Sequence, residues 1–366
     1  IHAATMVAAG VYLVARVYPI YNGTSLAVLA VSASITMLIG AATAMAQQDV
    51  KKVLAWSTVS QLGYMTGALA VGGRGPALLH LLSHAGFKAL LFLCSGALIH
   101  AVHSNLMGNM GGLRTAMPTT FWTMTIGLAA LVGVPPLAGF VSKESILSAA
   151  HHAISSPETL VPAWAAWTVW IAGLATAAMT GWYATRLWLR TFFGARTEQQ
   201  AHEPPWAMRG PLLLLAVPSA LFGLAALAPF IAERLETEVP EPLEVATLLP
   251  LALATTGVLL SWYGWRRSGG ADPVLAVPGR RVLAAAFGMD AVVDALVTRP
   301  VTALAGLVRR ADEVIVDGAV VGTGRGTAGL GKLVGRAHRA GLPRAATAAL
   351  GGALLLAVVV AVGVGR

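Results

Sequence analysis

Between Pro76 and His103 the chain reads PALLHLLSHAGFKALLFLCSGALIHAVH, a run long and apolar enough to cross a bilayer that nevertheless carries His80, His84 and Lys88 within it. A spanning helix needs about 20 mostly apolar residues, and a cation near its centre costs from a few to more than about ten kcal/mol. Such groups have to face protein or water. At spacing i, i+4, i+8 each drifts only about 40° round a helix from the last, so the three form one stripe climbing about 12 Å. Two imidazoles and an amine in a row, each able to take and give a proton, are what a proton wire requires. The plainer reading has the histidines bonding carbonyls of neighbouring helices and Lys88 snorkelling to an interface. That accounts for one such residue more readily than for three on one face.

Composition points the same way. Hydrophobic residues make up 56% of the chain and charged residues 11%, against about 25% charged in a soluble domain. Forty glycines suit packed membrane helices, whose backbones approach closely where side chains are small. The formal charge of +9 does not indicate nucleic acid, because the basic residues sit in loops between apolar runs and near the C-terminus. The single cysteine, Cys94, excludes a disulfide framework and a cysteine-held metal cluster and reads as a small packing residue.

Nine apolar segments are expected to span, all helical because an open sheet cannot satisfy its backbone in lipid: about 1–17, 24–46, 51–71, 77–102, 119–150, 161–189, 211–231, 246–265 and 344–364. Alternate loops are unequally basic. Lys51, Lys52, Arg114, Arg186, Arg190, Arg196, Arg209, Arg266 and Arg267 fall on one side; Arg16, Arg74 and Arg234 fall on the other. The first side is therefore expected to be cytoplasmic. Trp182, Trp188, Trp262, Tyr263 and Trp265 lie at span ends beside arginines and read as headgroup anchors. Asp49 reads as an N-cap, with Lys51 and Lys52 as topology signals.

A second informative stretch is FWTMTIGLAALVGVPPLAGFVSKESILSAA, Phe121 to Ala150. Pro135 and Pro136 remove donors and clash with the preceding turn, so a break is predicted here. Broken helices at membrane depth are tolerated beside protein or a cavity, where transporters place ion sites. Lys143 and Glu144 follow the break and point about 100° apart on a helix, which argues against a simple intrahelical pair. Alternatively Ser142 caps a helix that Glu144 favours through its dipole. His2 is a further ionisable residue, at the head of the first apolar run.

Four motifs, IHAATMVAAGVYL, DVKKVLAWSTVSQLGYM, HLLSHAGFKALLFLCSGALIH and GVPPLAGFVSKESIL, occur in an order and spacing that resemble the largest antiporter-like subunit of bacterial respiratory complex I, the subunit L family of NADH:quinone oxidoreductase. The resemblance covers the whole chain. It implies an all-α polytopic membrane protein: an antiporter-like helix bundle with a broken helix, a C-terminal amphipathic lateral helix and a final transmembrane anchor. The implied division is 1–23, the end of a first antiporter-like repeat; 24–193, a second repeat holding a proton half-channel; 194–277, additional transmembrane helices; 278–343, the lateral helix region; and 344–366, the anchor. The family's first repeat is missing, and the chain opens on Ile1, so it reads as N-terminally truncated. By resemblance His80, His84 and Lys88 form a central relay, Lys143 ends the half-channel, His2 links the two half-channels, and Glu144 is a further candidate.

The same resemblance implies proton translocation by a non-redox subunit in the bacterial inner membrane. Flavin, iron–sulfur clusters, NADH and quinone are then expected in partner subunits, consistent with one cysteine and no strand followed by a Gly-rich fingerprint. Expected partners are other membrane-arm subunits, above all neighbouring antiporter-like ones, together with lipid and protons. An Mrp-type sodium/proton antiporter subunit or a membrane-bound hydrogenase subunit would share these helices. A purely structural anchor would have no use for an intramembrane lysine beside two aligned histidines.

The stretch from Pro278 to Pro343 is too polar to span and too apolar for a free tail. From Asp290 to Ile315, Val293, Leu296, Val297, Val301, Leu304, Leu307, Val308, Val314 and Ile315 recur at threes and fours among charged residues, predicting a surface-lying amphipathic helix. It is expected on the cytoplasmic side. Seven glycines from Gly318 to Gly335 each cost up to about 1 kcal/mol relative to alanine, predicting a break or irregular stretch there.

Overall fold

Helix boundaries follow punctuation in the sequence. Asn22 caps Gly23–Ala46 with a reciprocal box, its side chain accepting from the Ser25 amide at 2.9 Å while Ser25 Oγ accepts from the Asn22 amide. Asp49 caps Val50–Ala70 by accepting from the Lys51 and Lys52 amides at 2.8 and 3.1 Å. The computed structural model describes residues 6–157, 159–194, 201–226, 228–235, 245–339 and 341–364. Its helices are α1 Met6–Arg16, α2 Gly23–Ala46, α3 Val50–Ala70, α4 Arg74–Val102, α5 Pro118–Val132, α6 Ala138–Ser155, α7 Ala163–Phe192, α8 Trp206–Ala226, α9 Pro229–Leu235, α10 Val245–Arg267, α11 Arg280–Ala284, α12 Met289–Val293, α13 Arg299–Ala311, α14 Gly318–Arg339 and α15 Leu342–Val364. Among the described residues there is no strand, only an isolated bridge between Asp49 and Leu106.

Two compact units divide the chain, Ile1–Met289 and Asp290–Arg366. In the first, α4 packs against α3, α5, α6 and α8, while α7 packs against α2 and α10. Small residues allow these approaches. A Cβ added at Gly181 would meet Ala254 O at 2.1 Å, and one at Gly257 would meet Ala178 O at 1.9 Å. By length and composition seven helices could cross a membrane: α2, α4, α7, α8, Thr247–Arg267, the joined run Ala286–Arg336 and Leu342–Gly363. Helix α3, one of the nine predicted spans, is outside that set. It carries Ser57, Thr58, Ser60 and Gln61, all buried against neighbouring helices and away from lipid.

Several interfacial expectations are corrected. Trp182 and Trp265 are buried packing residues, and Trp188 is half-buried, stacking on Phe121 with its Nε1 donating to Thr125 Oγ1 at 2.9 Å. Trp262 and Tyr263 are exposed, Trp262 beneath the Arg266 guanidinium. Arg186 is fully buried, not a loop cation. Its Nε and Nη2 donate to Asp272 Oδ1 and Oδ2 at 2.6 and 2.7 Å, and its Nη1 donates to Gln47 O at 2.7 Å. The apolar end of the bundle would otherwise strand three donors, and the segment after α10 supplies the carboxylate.

In the second unit α12, a π-helical turn Asp294–Thr298, α13, a second π-helical turn Asp312–Asp317 and α14 follow one another without a gap. The break predicted among the glycines is absent: α14 holds all seven in one helix. Glycine lowers helix propensity but keeps its N–H in the ladder. An irregularity appears instead before Pro300, whose ring clashes with the carbonyl four residues back; the wider turn at Asp294–Thr298 accommodates it.

Candidate functional site

Pro76 lies in the first turn of α4, where a missing N–H leaves no ladder bond unmade, and His103 closes the helix in a left-handed conformation at φ 53°. Lys88 is the middle residue of this helix. His80, His84 and Lys88 are all buried on the side facing α3 and α6. The His80 and His84 rings stand 6.0 Å apart between centroids, and Phe87 packs edge-on to His84 at 5.4 Å.

Each of these side chains meets a specific partner. Lys88 Nζ donates to Ser57 Oγ, whose own hydroxyl donates to Leu54 O at 2.8 Å, leaving the serine lone pair for the amine. His80 Nδ1 lies 2.9 Å from Ser142 Oγ and its Nε2 lies 3.1 Å from Gln61 Oε1. Among the described residues His84 Nε2 has no hydrogen-bond partner. Tyr64 approaches from α3, its ring 6.3 Å from that of His80, and donates its hydroxyl to Gly173 O.

The break between α5 and α6 brings Lys143 into the same site. Gly133 ends α5 in a left-handed conformation at φ 96°, open to glycine without a side-chain clash. Pro135 and Pro136 occupy the link to α6, joined by a cis bond. The carbonyl of Leu131 would be served by the N–H four residues on, but that residue is Pro135. Lys143 Nζ donates to Leu131 O in its place. Gly139 lets the start of α6 lie against the end of α5, where an added Cβ would stand 1.7 Å from Ala130 O. Lys143 Nζ also sits 5.6 Å from the centre of the Tyr64 ring. Glu144 is buried, and among the described residues its Oε2 has no hydrogen-bond partner. Ser142 is no cap: α6 begins at Ala138, and Ser142 Oγ donates to Ala138 O at 3.0 Å.

The structure thus brings His80, His84, Lys88 and Lys143 into one buried cluster, with Glu144 beside Lys143. His2 lies outside the described residues. Sequence reasoning missed the second side of the cluster: Ser57, Gln61 and Tyr64 on α3, and Thr176, Thr180 and the buried Tyr183 on α7. Both sets fall at i, i+4, i+7, a helical face of hydroxyls and an amide that the pattern of STVSQLGY could have revealed. Neither lysine has a carboxylate within salt-bridge distance among the described residues. Cys94 is buried, its Sγ 3.5 Å from Thr123 Oγ1.

Residues 1–177 match the family described as NADH:quinone oxidoreductase/Mrp antiporter, TM, a match that includes α1 to α6 and with them His80, His84, Lys88, Lys143 and Glu144. Over those residues the chain is similar to that antiporter-like membrane family. It is 40% identical over 343 residues to the NADH-quinone oxidoreductase subunit L of Mycobacterium tuberculosis, an alignment covering 87% of this chain and 52% of the relative. With the NAD(P)H-quinone oxidoreductase chain 5 of a Picosynechococcus species it shares 43% identity over 258 residues, 61% of this chain and 37% of that one. The chain spans about half the length of the subunit L relatives it matches. Among solved structures it resembles the Mrp complex from Dietzia sp. DQ12-45-1b, with a TM-score of 0.64 and 25% identity over 91% of this chain and 37% of that one. The family and the helices together make this a multi-pass membrane protein.

Proposed function

We propose that the chain is the proton-translocating part of a non-redox membrane subunit in a bacterial NADH:quinone oxidoreductase. Protons pass along His80, His84 and Lys88 and exchange with Lys143, water joining groups that lack protein partners; Glu144 modulates Lys143, and His2 continues the path. The half-channel lies within residues 24–193, and redox chemistry on flavin, iron–sulfur clusters, NADH and quinone belongs to partner subunits in the inner membrane. One observation carries this reading. Two lysines and two histidines are buried together, and among the described residues the lysines bond only to a hydroxyl and a carbonyl. Unpaired cations cost several kcal/mol each to bury, an expense a structural anchor has no reason to carry.

The long helix that includes α13 and α14 is proposed to run along the cytoplasmic surface over neighbouring antiporter-like subunits. A helical run of 51 residues reaches about 75 Å at 1.5 Å per residue. Cross-links from Arg309 or Asp312 confined to this chain would remove that tether. A second reading, an Mrp-type sodium/proton antiporter subunit, is favoured by the Dietzia likeness and by the family's description, which names Mrp antiporters as well. The deciding experiment is Lys88→Met in the full-length subunit within its complex. Proton pumping is expected to fall at least about ten-fold, and intact pumping would overturn the reading; sodium dependence would favour the antiporter.

A further inference from the structure

His80 is gripped from two sides by groups that can reverse their hydrogen-bonding sense. Gln61 on α3 and Ser142 on α6 are both fully buried, as is the ring between them. As they stand, Ser142 directs its hydroxyl hydrogen to Ala138 O at 3.0 Å and so receives a hydrogen from His80 Nδ1 at 2.9 Å. Gln61 presents Oε1, which can only accept, to His80 Nε2 at 3.1 Å. That set of acceptors fits a ring bearing hydrogens on both nitrogens, the protonated form.

A neutral imidazole has one N–H and one lone pair, and either nitrogen can hold the lone pair. If Nδ1 gives up its hydrogen, the Ser142 hydroxyl can swing from Ala138 O to the ring, since Ala138 O keeps its place in the helix ladder. If Nε2 gives it up, a half-turn of the Gln61 amide exchanges Oε1 for Nε2–H. Gln61 Nε2 has no hydrogen-bond partner among the described residues, so the half-turn breaks no bond. In every state both ring nitrogens stay bonded.

We propose that Gln61 and Ser142 are positioning residues that hold His80 through both of its protonation states, so that the ring receives and releases protons without turning or leaving a buried nitrogen unpaired. This rests on His80 carrying protons, the reading given above. An unpaired polar atom at such a site would carry a desolvation penalty at one end of each transfer and slow it.

The test uses the full-length subunit in its complete complex, reconstituted in vesicles, with redox turnover reporting assembly. Gln61→Met removes donor and acceptor at similar volume; Ser142→Ala removes the hydroxyl, and Ser142→Thr keeps it. Tyr64 from α3, His84 and Lys88 from α4 and Lys143 from α6 face the same ring and remain in every variant. Gln61→Met and Ser142→Ala are expected to slow pumping at least about five-fold and to move the pH of half-maximal pumping by about one unit, the equivalent of one charge-assisted hydrogen bond. Ser142→Thr should retain wild-type behaviour. Wild-type rate and pH midpoint in both disruptive variants, with pumping lost in His80→Phe, would overturn the clamp and leave the relay standing. Undiminished pumping in His80→Phe would remove the relay itself. Nitrogen-15 spectra of histidine-labelled wild type give a check independent of variant assembly: both His80 nitrogens should keep hydrogen-bonded shifts on either side of the titration, and a free nitrogen at either pH would overturn the proposal.

Discussion

Removing Asp272 should cost more than any other single carboxylate in the first unit. Its two oxygens hold the buried Arg186 guanidinium at 2.6 and 2.7 Å and also accept from Gln48 Nε2 and the Val274 amide, each at 3.1 Å. Asp272→Ala strands a buried cation that retains only Gln47 O at 2.7 Å. Breaking such a pair costs about 3–5 kcal/mol, and the two weaker bonds add about 1 kcal/mol each. Relaxation and water entry recover part of this, so about 4 kcal/mol is expected. Arg186→Met should cost a similar amount, because it leaves the carboxylate half-served. The double variant Arg186→Met, Asp272→Ala should cost well below the sum, with a coupling of about 3 kcal/mol, since it strands neither partner of the close pair and leaves only the part-exposed Arg190, 3.8 Å from Asp272 Oδ2, without its counter-ion. Unfolding in mixed micelles against a denaturing detergent, followed by tryptophan fluorescence, supplies the four free energies. Single variants each costing under about 1 kcal/mol, or costs that add to within about 0.5 kcal/mol, would show that the pair does not hold the end of the bundle together.

The same carboxyl carries a pH dependence. Burial alone would push it up, but the Arg186 hydrogen bonds and charge, the Val274 amide and Gln48 outweigh burial and hold it below the usual carboxylate range. The unfolded chain then binds the proton more readily, so the stabilisation is complete above about pH 5 and is lost as pH falls below about 4 and through the folded value. Asp272→Asn should flatten that acid limb of the unfolding curve; an unchanged limb would assign it to other groups. Gly139→Ala forces a Cβ to within 1.7 Å of Ala130 O and should destabilise by about 3 kcal/mol or block assembly, whereas Gly96→Ala, with nothing within 4 Å, should be neutral or gain up to about 1 kcal/mol. Equal stability of the two would mean that α6 does not seat against α5 as described. Glu203 caps α5 from a distance, accepting from the Thr119 and Thr120 amides and from Thr120 Oγ1. Glu203→Ala should cost about 1 kcal/mol, read as faster amide hydrogen exchange in residues 119–121, and unaltered exchange there would refute the cap.

Much of this molecule is legible without coordinates because its governing signals are local. Apolar run length predicts the spans, the alignment of His80, His84 and Lys88 follows from helical pitch, and paired prolines stop α5 wherever the helix lies. In the glycine-rich stretch a propensity deficit does not amount to a break, because glycine leaves the hydrogen-bond ladder intact through α14. The tryptophans differ from expectation for another reason. Trp265 lies in the last turn of α10 as a headgroup anchor would, and Trp182 lies nearly three turns inside α7, yet both are buried in the protein.

By itself the sequence determined that this is a helical membrane protein, where one helix breaks, and that titratable residues lie at membrane-helix positions. Only the tertiary structure decided what each of them touches. Ser57 on α3 receives Lys88 from α4, 31 residues away, and Leu131 O receives Lys143 because the prolines freed it; likewise Asp272 answers Arg186 over 86 residues. Periodicity specifies which face of a helix a residue occupies, a property of the turn it sits in. The partner on the far side depends on which helix packs there and at what register, and that is set by the small-residue contacts and caps of the whole bundle.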